Sequence, residues 1–188
     1  MKFLKSILLA SVVILPWAAS AHATDLAPSL PPEASSTSGL YIRGDFGGSW
    51  LAWSTATTNL TYVGDAGIGY QIDPNWRTDL TYAMTGNYSV APGATLNTGT
   101  IMGNIYYDWR NSTPLTPYVG VGAGYGWQYA SGVGAFNSSG IAVGLKAGVS
   151  YDITNNLALD VGYRFNDILV SGQNTPEHQV AAGLRIKF

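Results

Sequence analysis

The sequence contains no cysteine and has few charged residues. The lack of cysteine among its 188 residues excludes disulfides, thiol catalysis, cysteine-ligated zinc and a lipoprotein-type lipid anchor. Charged residues make up 11% of the chain, against roughly 25% in a typical soluble protein. The formal net charge is −2, so the chain lacks the excess of basic residues found in nucleic-acid-binding proteins, and no nucleic-acid partner is predicted. Hydrophobic residues make up 46%, a composition too apolar for a disordered chain.

The N-terminus has the pattern of a secretory signal peptide over residues 1–23. Lys2 and Lys5 form a positive end, an apolar run follows, and an Ala-His-Ala tripeptide closes the segment with a small-x-small cleavage pattern. The apolar run is shorter than the roughly 20 residues of a membrane-spanning helix, which disfavours a membrane anchor. Residues 24–38 are rich in proline and serine without periodicity, and they are predicted to form a periplasmic tether.

From residue 39 onward, apolar and polar residues alternate with the two-residue period of a β-strand. In the last segment, for example, Val180 and Ala182 share one face, while Gln179 lies on the other. The pattern predicts eight strands. They are 39–51, 60–73, 76–88, 98–110, 115–129, 139–152, 157–170 and 178–188.

The connectors between these segments alternate between tight turns and longer loops. The longer ones lie near 52–59, 89–97, 130–138 and 171–177. Short turns on one side and longer loops on the other are typical of outer-membrane barrels. Residues 39–188 are therefore predicted to form an all-β, eight-stranded antiparallel up-and-down transmembrane β-barrel.

In these strands, the charged residues lie on the face opposite to the apolar residues. Facing Arg or Lys towards lipid at mid-membrane costs about 2–4 kcal/mol each, so a lumen charge network is predicted. Its members are Arg43, Asp45, Asp65, Arg77, Asp79, Asp108, Arg110, Lys146, Asp160, Arg164, Arg185 and Lys187. The other acids, including Asp152, Asp167 and Glu177, are assigned to the tether, turns or loops. A soluble lipocalin-type barrel would show the reverse polarity, with its apolar face inside.

Aromatic residues cluster near the predicted strand ends, which is typical of the girdles at membrane interfaces. Trp76, Trp109 and Tyr151 are predicted at the periplasmic edge, and Trp50, Trp127 and Tyr129 at the outer edge.

A row of glycines takes the inward phase of the fifth segment: Gly120, Gly122, Gly124 and Gly126. Eight strands enclose only enough space for side chains. The row therefore predicts room for long basic side chains from the opposite wall or, alternatively, a narrow solute path.

No catalytic site is predicted. Ser171 and Glu177 lie near His178, but the pattern of an outer-membrane hydrolase is missing. His178 is a candidate for one axial haem ligand, although the sequence supplies no second ligand or apolar pocket for it. No metal cluster and no cofactor are predicted.

Four motifs resemble one family of bacterial surface proteins. GLYIRGD at 39–45, TPYVGVG at 116–122, DVGYRF at 160–165 and GLRIKF at 183–188 resemble strands of the small outer-membrane barrels called outer-membrane immunogenic or opacity-type proteins, alphaproteobacterial branch. Phe165 replaces the usual tyrosine of the third motif, and Ile186 stands where an aromatic residue is common.

This resemblance implies a monomeric barrel in the bacterial outer membrane, similar in architecture to OmpA and OmpX. It implies contact with outer-membrane lipid and lipopolysaccharide. It also implies that Phe188 is the signal read by the barrel-assembly machinery, and that the tether could reach peptidoglycan. The leading hypothesis is a non-enzymatic envelope protein that presents short loops. The alternatives are loop-mediated binding of haemin or a host surface, and a narrow low-conductance channel.

Overall fold

The computed structural model describes residues 39–52, 60–132, 135–170 and 174–188. The predicted signal peptide and tether lie outside these residues. The described chain forms strand after strand, because the period-two pattern continues from one turn to the next. The strands are β1 (Gly39–Leu51), β2 (Leu60–Gln71), β3 (Trp76–Thr85), β4 (Tyr88–Ala91), β5 (Ala94–Asp108), β6 (Leu115–Gly132), β7 (Phe136–Asp152), β8 (Leu157–Leu169) and β9 (Thr175–Lys187).

Antiparallel pairing closes these strands into a barrel. Neighbours in sequence pair with one another, β1 pairs with β9, and β3 and β4 both pair with β5. β3 and β4 are two parts of one wall strand, so the barrel has eight strands and the predicted fold class is confirmed. Between the pairs Met84–Gly99 and Tyr88–Leu96 the register shifts by one residue, as at a β-bulge.

Several strands extend further than predicted at the end of the barrel with the longer connectors, here called the loop end; β1 and β2 keep their predicted bounds there, and β8 ends one residue earlier. β5 begins at Ala94 and β9 at Thr175, inside segments predicted as loops. Gly93, with φ of 75°, allows the tight turn that joins β4 to β5. Pairing favours this extension, because strand residues that pair with a neighbour satisfy each other's backbone hydrogen bonds. At the opposite end, here called the turn end, the tight turns lie where they were predicted.

The barrel is polar inside and apolar outside. Along β3, Arg77 and Asp79 are buried, whereas their neighbours Trp76 and Leu80 are exposed on the outer face. Within the described ranges, no helix is long and apolar enough to cross a membrane.

The inward side chains change character along the barrel axis, and β5 passes through every level. Asp108 and Asn104 belong to a charged layer at the turn end, and Met102 belongs to a middle apolar cluster with Ala142 and Ile168. Nearer the loop end, the polar layer consists of the inward polar side chains around Glu177, and above it lies a loop-end apolar cluster. The polar layer comprises Thr85, Thr98, Gln128, Thr175, Glu177 and Gln179, and the loop-end cluster comprises Leu51, Tyr88 and Leu96.

Candidate functional site

The first part of the charged layer joins strands on both sides of the barrel closure. Arg164 on β8 donates hydrogen bonds to Asp45 on β1 and to Asp65 on β2. Arg43 on β1 donates to Asp45 and, at 3.2 Å, to Asp79 on β3. The side chains of all five are at most 9% exposed, so these ion pairs are shielded from solvent.

The second part lies nearer the turn end. Arg77 Nε lies 3.0 and 3.1 Å from the two carboxylate oxygens of Asp108. The Arg77 guanidinium carbon lies 4.2 Å from the centroid of the Tyr106 ring, within the range of a cation–π contact. Arg185 donates to Asp160 from Nε and Nη2, both at 3.2 Å, and Asp160 also lies 3.9 Å from Arg77 Nη1. Asp160 therefore lies between two buried guanidinium groups.

Lys146 is held in a different way from the arginines. Its Nζ donates to the Tyr106 hydroxyl at 3.2 Å, and it lies 5.5 Å from the centroid of that ring. Among the described residues, no carboxylate lies within ion-pair distance of this amine. The network thus reaches Lys146 through a phenol rather than through a direct ion pair.

Two members of the predicted lumen network lie at the turn-end rim instead of in the charged layer. Arg110 is exposed because it lies two residues beyond the end of β5, and Lys187 is half-buried because it ends β9. Both bind Asp152, at 2.9 and 2.6 Å respectively. The prediction of an interior position was wrong for Arg110, and Lys187 reaches only the rim. The charged layer itself contains five basic and five acidic side chains. They are Arg43, Arg77, Lys146, Arg164 and Arg185, with Asp45, Asp65, Asp79, Asp108 and Asp160.

Glu177 was assigned to a loop, and the structure corrects that assignment. It is 2% exposed and faces the interior from β9, since the strand begins at Thr175. Thr98 donates to its carboxylate at 2.6 Å and Gln179 at 3.0 Å. In a β-strand, residues two apart share a face, so Glu177 lies on the same inward face as Gln179. The sequence would have shown this if the last predicted strand had been started a few residues earlier. The same extension along β8 puts Asp167 on the outer face, in a strand rather than a loop.

The glycine row on β6 does not receive basic side chains from the opposite wall. A Cβ at Gly120 would lie 2.5 Å from the Tyr106 ring, and one at Gly122 would lie 2.2 Å from Asn104 Oδ1. The neighbouring strand β5 supplies both of those side chains. Gly120 and Gly122 therefore make room for β5 side chains at the charged layer, whereas a Cβ at Gly126 would lie 2.8 Å from the side chain of Ile168 on β8.

The six aromatic residues expected to form two girdles lie at opposite ends of the outer face. The turn-end group is Trp76, Trp109 and Tyr151, and the loop-end group is Trp50, Trp127 and Tyr129. A Cβ at Gly99 would lie 2.4 Å from the Trp127 ring, so glycine lets that indole lie flat against β5.

His178 faces outwards from β9, on the side opposite to Glu177. Its ring is stacked on Trp50 with a centroid distance of 5.7 Å, and its Nδ1 is hydrogen-bonded to the Tyr163 hydroxyl. Within the described ranges, no group of three or more His, Asp or Glu side chains is placed to hold a metal ion.

Comparisons with known proteins agree with this architecture. The family model described as "Outer membrane protein beta-barrel domain" matches residues 7–188. An uncharacterized protein of Brucella suis is 28% identical over 72% of this chain and 69% of its own length. An uncharacterized protein of Haemophilus influenzae is 26% identical over 79% of this chain and 88% of its own length.

Solved structures show the same fold. Neisserial surface protein A matches 80% of this chain and 97% of its own, with a TM-score of 0.70 and 27% identity. The attachment invasion locus protein Ail of Yersinia pestis matches 79% of this chain and 99% of its own, with a TM-score of 0.53 and 15% identity. At that identity the likeness to Ail shows the fold alone.

Proposed function

Because the chain belongs to the outer-membrane protein β-barrel family and lies in the bacterial outer membrane, we propose that it is a structural protein of the cell envelope. Its work is to span the membrane as a closed barrel, to contact outer-membrane lipid and to hold short loops at the cell surface. The observation that carries this proposal is the packed interior, in which charged, apolar and polar levels succeed one another from end to end.

This interior argues for a supporting wall rather than a solute path. The middle apolar cluster of Met102, Ala142 and Ile168 and the loop-end cluster of Leu51, Tyr88 and Leu96 are both buried in the barrel interior. Buried apolar side chains at two levels oppose the passage of water and ions. A conducting channel would have to open both clusters.

Contact with the membrane is supported by the outer face. Exposed apolar side chains such as Ile68, Leu80 and Leu145 cover the strands between the two rows of aromatic residues. The amphipathic rings of Trp and Tyr are favoured at membrane interfaces. We propose that these rows are the two girdles that fix the depth of the barrel.

The proposal also includes an assembly signal at Phe188, a link to peptidoglycan and a monomeric state. Phe188 is 71% exposed at the turn end, which supports its role as the signal for the barrel-assembly machinery. The peptidoglycan link involves residues outside the described part of the chain and stays a prediction. A single chain closes its own barrel, which supports a monomer, since no strand edge of the wall needs a second copy.

Within the residues that the structure describes, no observation favours haemin binding or a host partner. The Nδ1 atom of His178 is bonded to Tyr163, and the ring lies among aromatic side chains on the outer face. We therefore propose no second function.

The test is the detergent sensitivity of a deletion strain. We expect the strain to lose viability at detergent concentrations that the parent tolerates, and wild-type protein in trans to restore tolerance. The matched control is a Phe188-deleted chain, which should be made but fail to assemble and to restore tolerance. Equal tolerance of deletion strain and parent would contradict the structural role. Conductance steps from the purified barrel in planar bilayers would favour the channel instead.

A further inference from the structure

The barrel closes between β1 and β9, and the alternation of polar and apolar residues does not by itself fix the register of that closure. A slip of one residue would turn the charged face towards the membrane, so alternation excludes it. A slip of two residues returns every side chain to its own face, because residues two apart share a face. Another feature must therefore select the observed pairs, in which Asp45 lies opposite Gly183.

Two carboxylates meet across β1 and β2 beside this closure. Asp45 and Asp65 are directly opposite one another, and both accept hydrogen bonds from Arg164. Arg164 stands on β8, so its side chain crosses β9 to reach them. Arg43 also binds Asp45, but it belongs to β1 and moves with that strand. Like charges directly opposite one another destabilise a sheet, and the Arg164 guanidinium offsets their repulsion from the other side of the closure.

Gly183 provides the space that this arrangement needs. It occupies an inward position of β9, and a Cβ there would overlap the Asp45 carboxylate and the Gly44 carbonyl. Among the inward positions of β9, all of which the structure describes, Gly183 alone lacks a side chain. The Asp45 carboxylate can therefore lie over β9 at one level only.

A slip of two residues would break both the ion pairs and this fit. It would carry Asp45 and Asp65 about 7 Å along the barrel relative to Arg164, beyond the reach of the present hydrogen bonds. It would also place Asp45 opposite Ala181 or Arg185, whose side chains occupy the inward face. Two buried carboxylates would then lie side by side without their shared cation, which is costly.

We propose that Asp45, Gly183 and Arg164 determine the register in which the barrel closes. The Asp45 carboxylate fills the space that Gly183 leaves, and Arg164 joins β8 to β1 across it. The pairing selected in this way also sets the stagger of the strands, which determines the shape of a closed barrel. Register is a property of the folded chain, so the detergent tolerance of a deletion strain has no bearing on it.

Disulfide cross-linking measures the register directly, since the chain contains no cysteine of its own. Ile42 and Ile186 are opposite one another on the outer face, so Ile42→Cys with Ile186→Cys reports the observed register. Ile42→Cys with Leu184→Cys and Phe46→Cys with Leu184→Cys report slips of two residues in the two directions. Directly opposite residues are close enough for a disulfide, whereas diagonal ones lie beyond its usual reach. The full chain is oxidised in the outer membrane and resolved on gels.

In the wild-type background we expect cross-links of the observed register only. Asp45→Asn and Gly183→Ala should each raise the ratio of slipped to observed cross-links about tenfold, because each removes part of the preference for one register. Gly44→Ala is the matched control. It adds the same methyl group next to Asp45, at a position where the nearest neighbour of a Cβ is the Asp65 carbonyl oxygen at 3.7 Å. Its ratio should equal that of the wild type.

Moving the space along β9 gives a second test. Gly183→Ala combined with Ala181→Gly places the space two residues away on the same face. We expect this double variant to cross-link through Ile42→Cys and Leu184→Cys, because that slip brings Asp45 opposite the new space.

Heated and unheated samples are compared on the gels, so that cross-links are read in folded protein. The proposal is overturned if either Asp45→Asn or the double variant keeps the observed register alone. Failure of the double variant to assemble, while Gly44→Ala assembles, would overturn it as well. An equal rise of slipped cross-links in Gly44→Ala would show that any added methyl group at the closure disturbs the register, which also contradicts the proposal.

Discussion

The two halves of the barrel interior are held together by different forces. In the turn-end half, five basic and five acidic side chains form ion pairs and cation–π contacts. In the loop-end half, two apolar clusters enclose a polar layer whose carboxylate, Glu177, is bonded to the neutral partners Thr98 and Gln179. The difference shows that one barrel can combine charge pairing in one half of its interior with apolar packing around a neutral polar layer in the other.

The largest effect is expected from breaking the charged layer at Asp160. Asp160→Ala removes the acceptor of Arg185 and the nearby counter-charge of Arg77, both almost fully buried. Leaving buried charges without their partner costs about 3–5 kcal/mol. We expect the free energy of unfolding to fall by that amount in urea titrations of the barrel in lipid vesicles, followed by tryptophan fluorescence.

The control for this prediction is Ser150→Ala. It removes a hydroxyl that donates to Asp160 and accepts from Arg185 Nη2 at 2.9 Å, but it leaves both ion pairs intact. A loss of about 1–2 kcal/mol is expected from the two hydrogen bonds. If Asp160→Ala costs no more than Ser150→Ala, the charged layer does not stabilise the turn-end half by pairing.

The sequence predicted the turn-end half well, because a charged side chain in a membrane-spanning strand can face only the interior. Arg43, Asp79 and Arg164 occupy a strand phase that would otherwise expose them to lipid, so alternation alone places them inside. Partners could not be predicted, since the reach of Arg164 to both Asp45 and Asp65 depends on the closure between β1 and β9. Alternation also places Arg110 inside, but it cannot detect that β5 ends at Asp108.

The loop-end half was predicted less well because its contacts are neutral. Tyr88 ends a predicted strand, but Leu96 carries no signal that distinguishes a loop from a continuing strand. Their packing against Leu51 needs the register shift between β3 and β4, which only the three-dimensional pairing reveals. Asp167 and Glu177 were placed in turns because acids near a predicted strand end are ordinarily solvated.

The packing side of the comparison is tested by Leu96→Ala. Leu96 is 1% exposed in the loop-end cluster, and truncating a buried leucine leaves a cavity. We expect a loss of about 2–3 kcal/mol in the same urea titration, at the lower end of the usual range because Val90 and Ala130 can move in. Leu80→Ala, at a 52% exposed outward position, is the control and should cost less. Equal losses would show that the cluster is loosely packed.

Glu177 sharpens the contrast, since it is an acid in the half that lacks ion pairs. Glu177→Ala removes the acceptor of Thr98 and Gln179 and should cost about 1–3 kcal/mol, the penalty for unsatisfied buried donors. Glu177→Gln keeps the shape and an acceptor oxygen, so its free energy of unfolding should stay near the wild-type value. If Glu177→Gln is as unstable as Glu177→Ala, the negative charge itself is required and the loop-end half depends on charge after all.

The smallest effect is expected at the rim, where charges are also paired but water reaches them. Asp152 binds Arg110 and Lys187, yet these side chains are between 23 and 33% exposed. Exposed ion pairs contribute about 0–1 kcal/mol and are screened by salt. Asp152→Asn should therefore lower the free energy of unfolding by no more than that, and the difference should shrink when sodium chloride is raised. The loss at Asp160 should keep its size in the same salt series, because its partners are shielded inside the barrel. A salt-insensitive loss of several kcal/mol at Asp152 would mean that burial does not separate the two sets of charges.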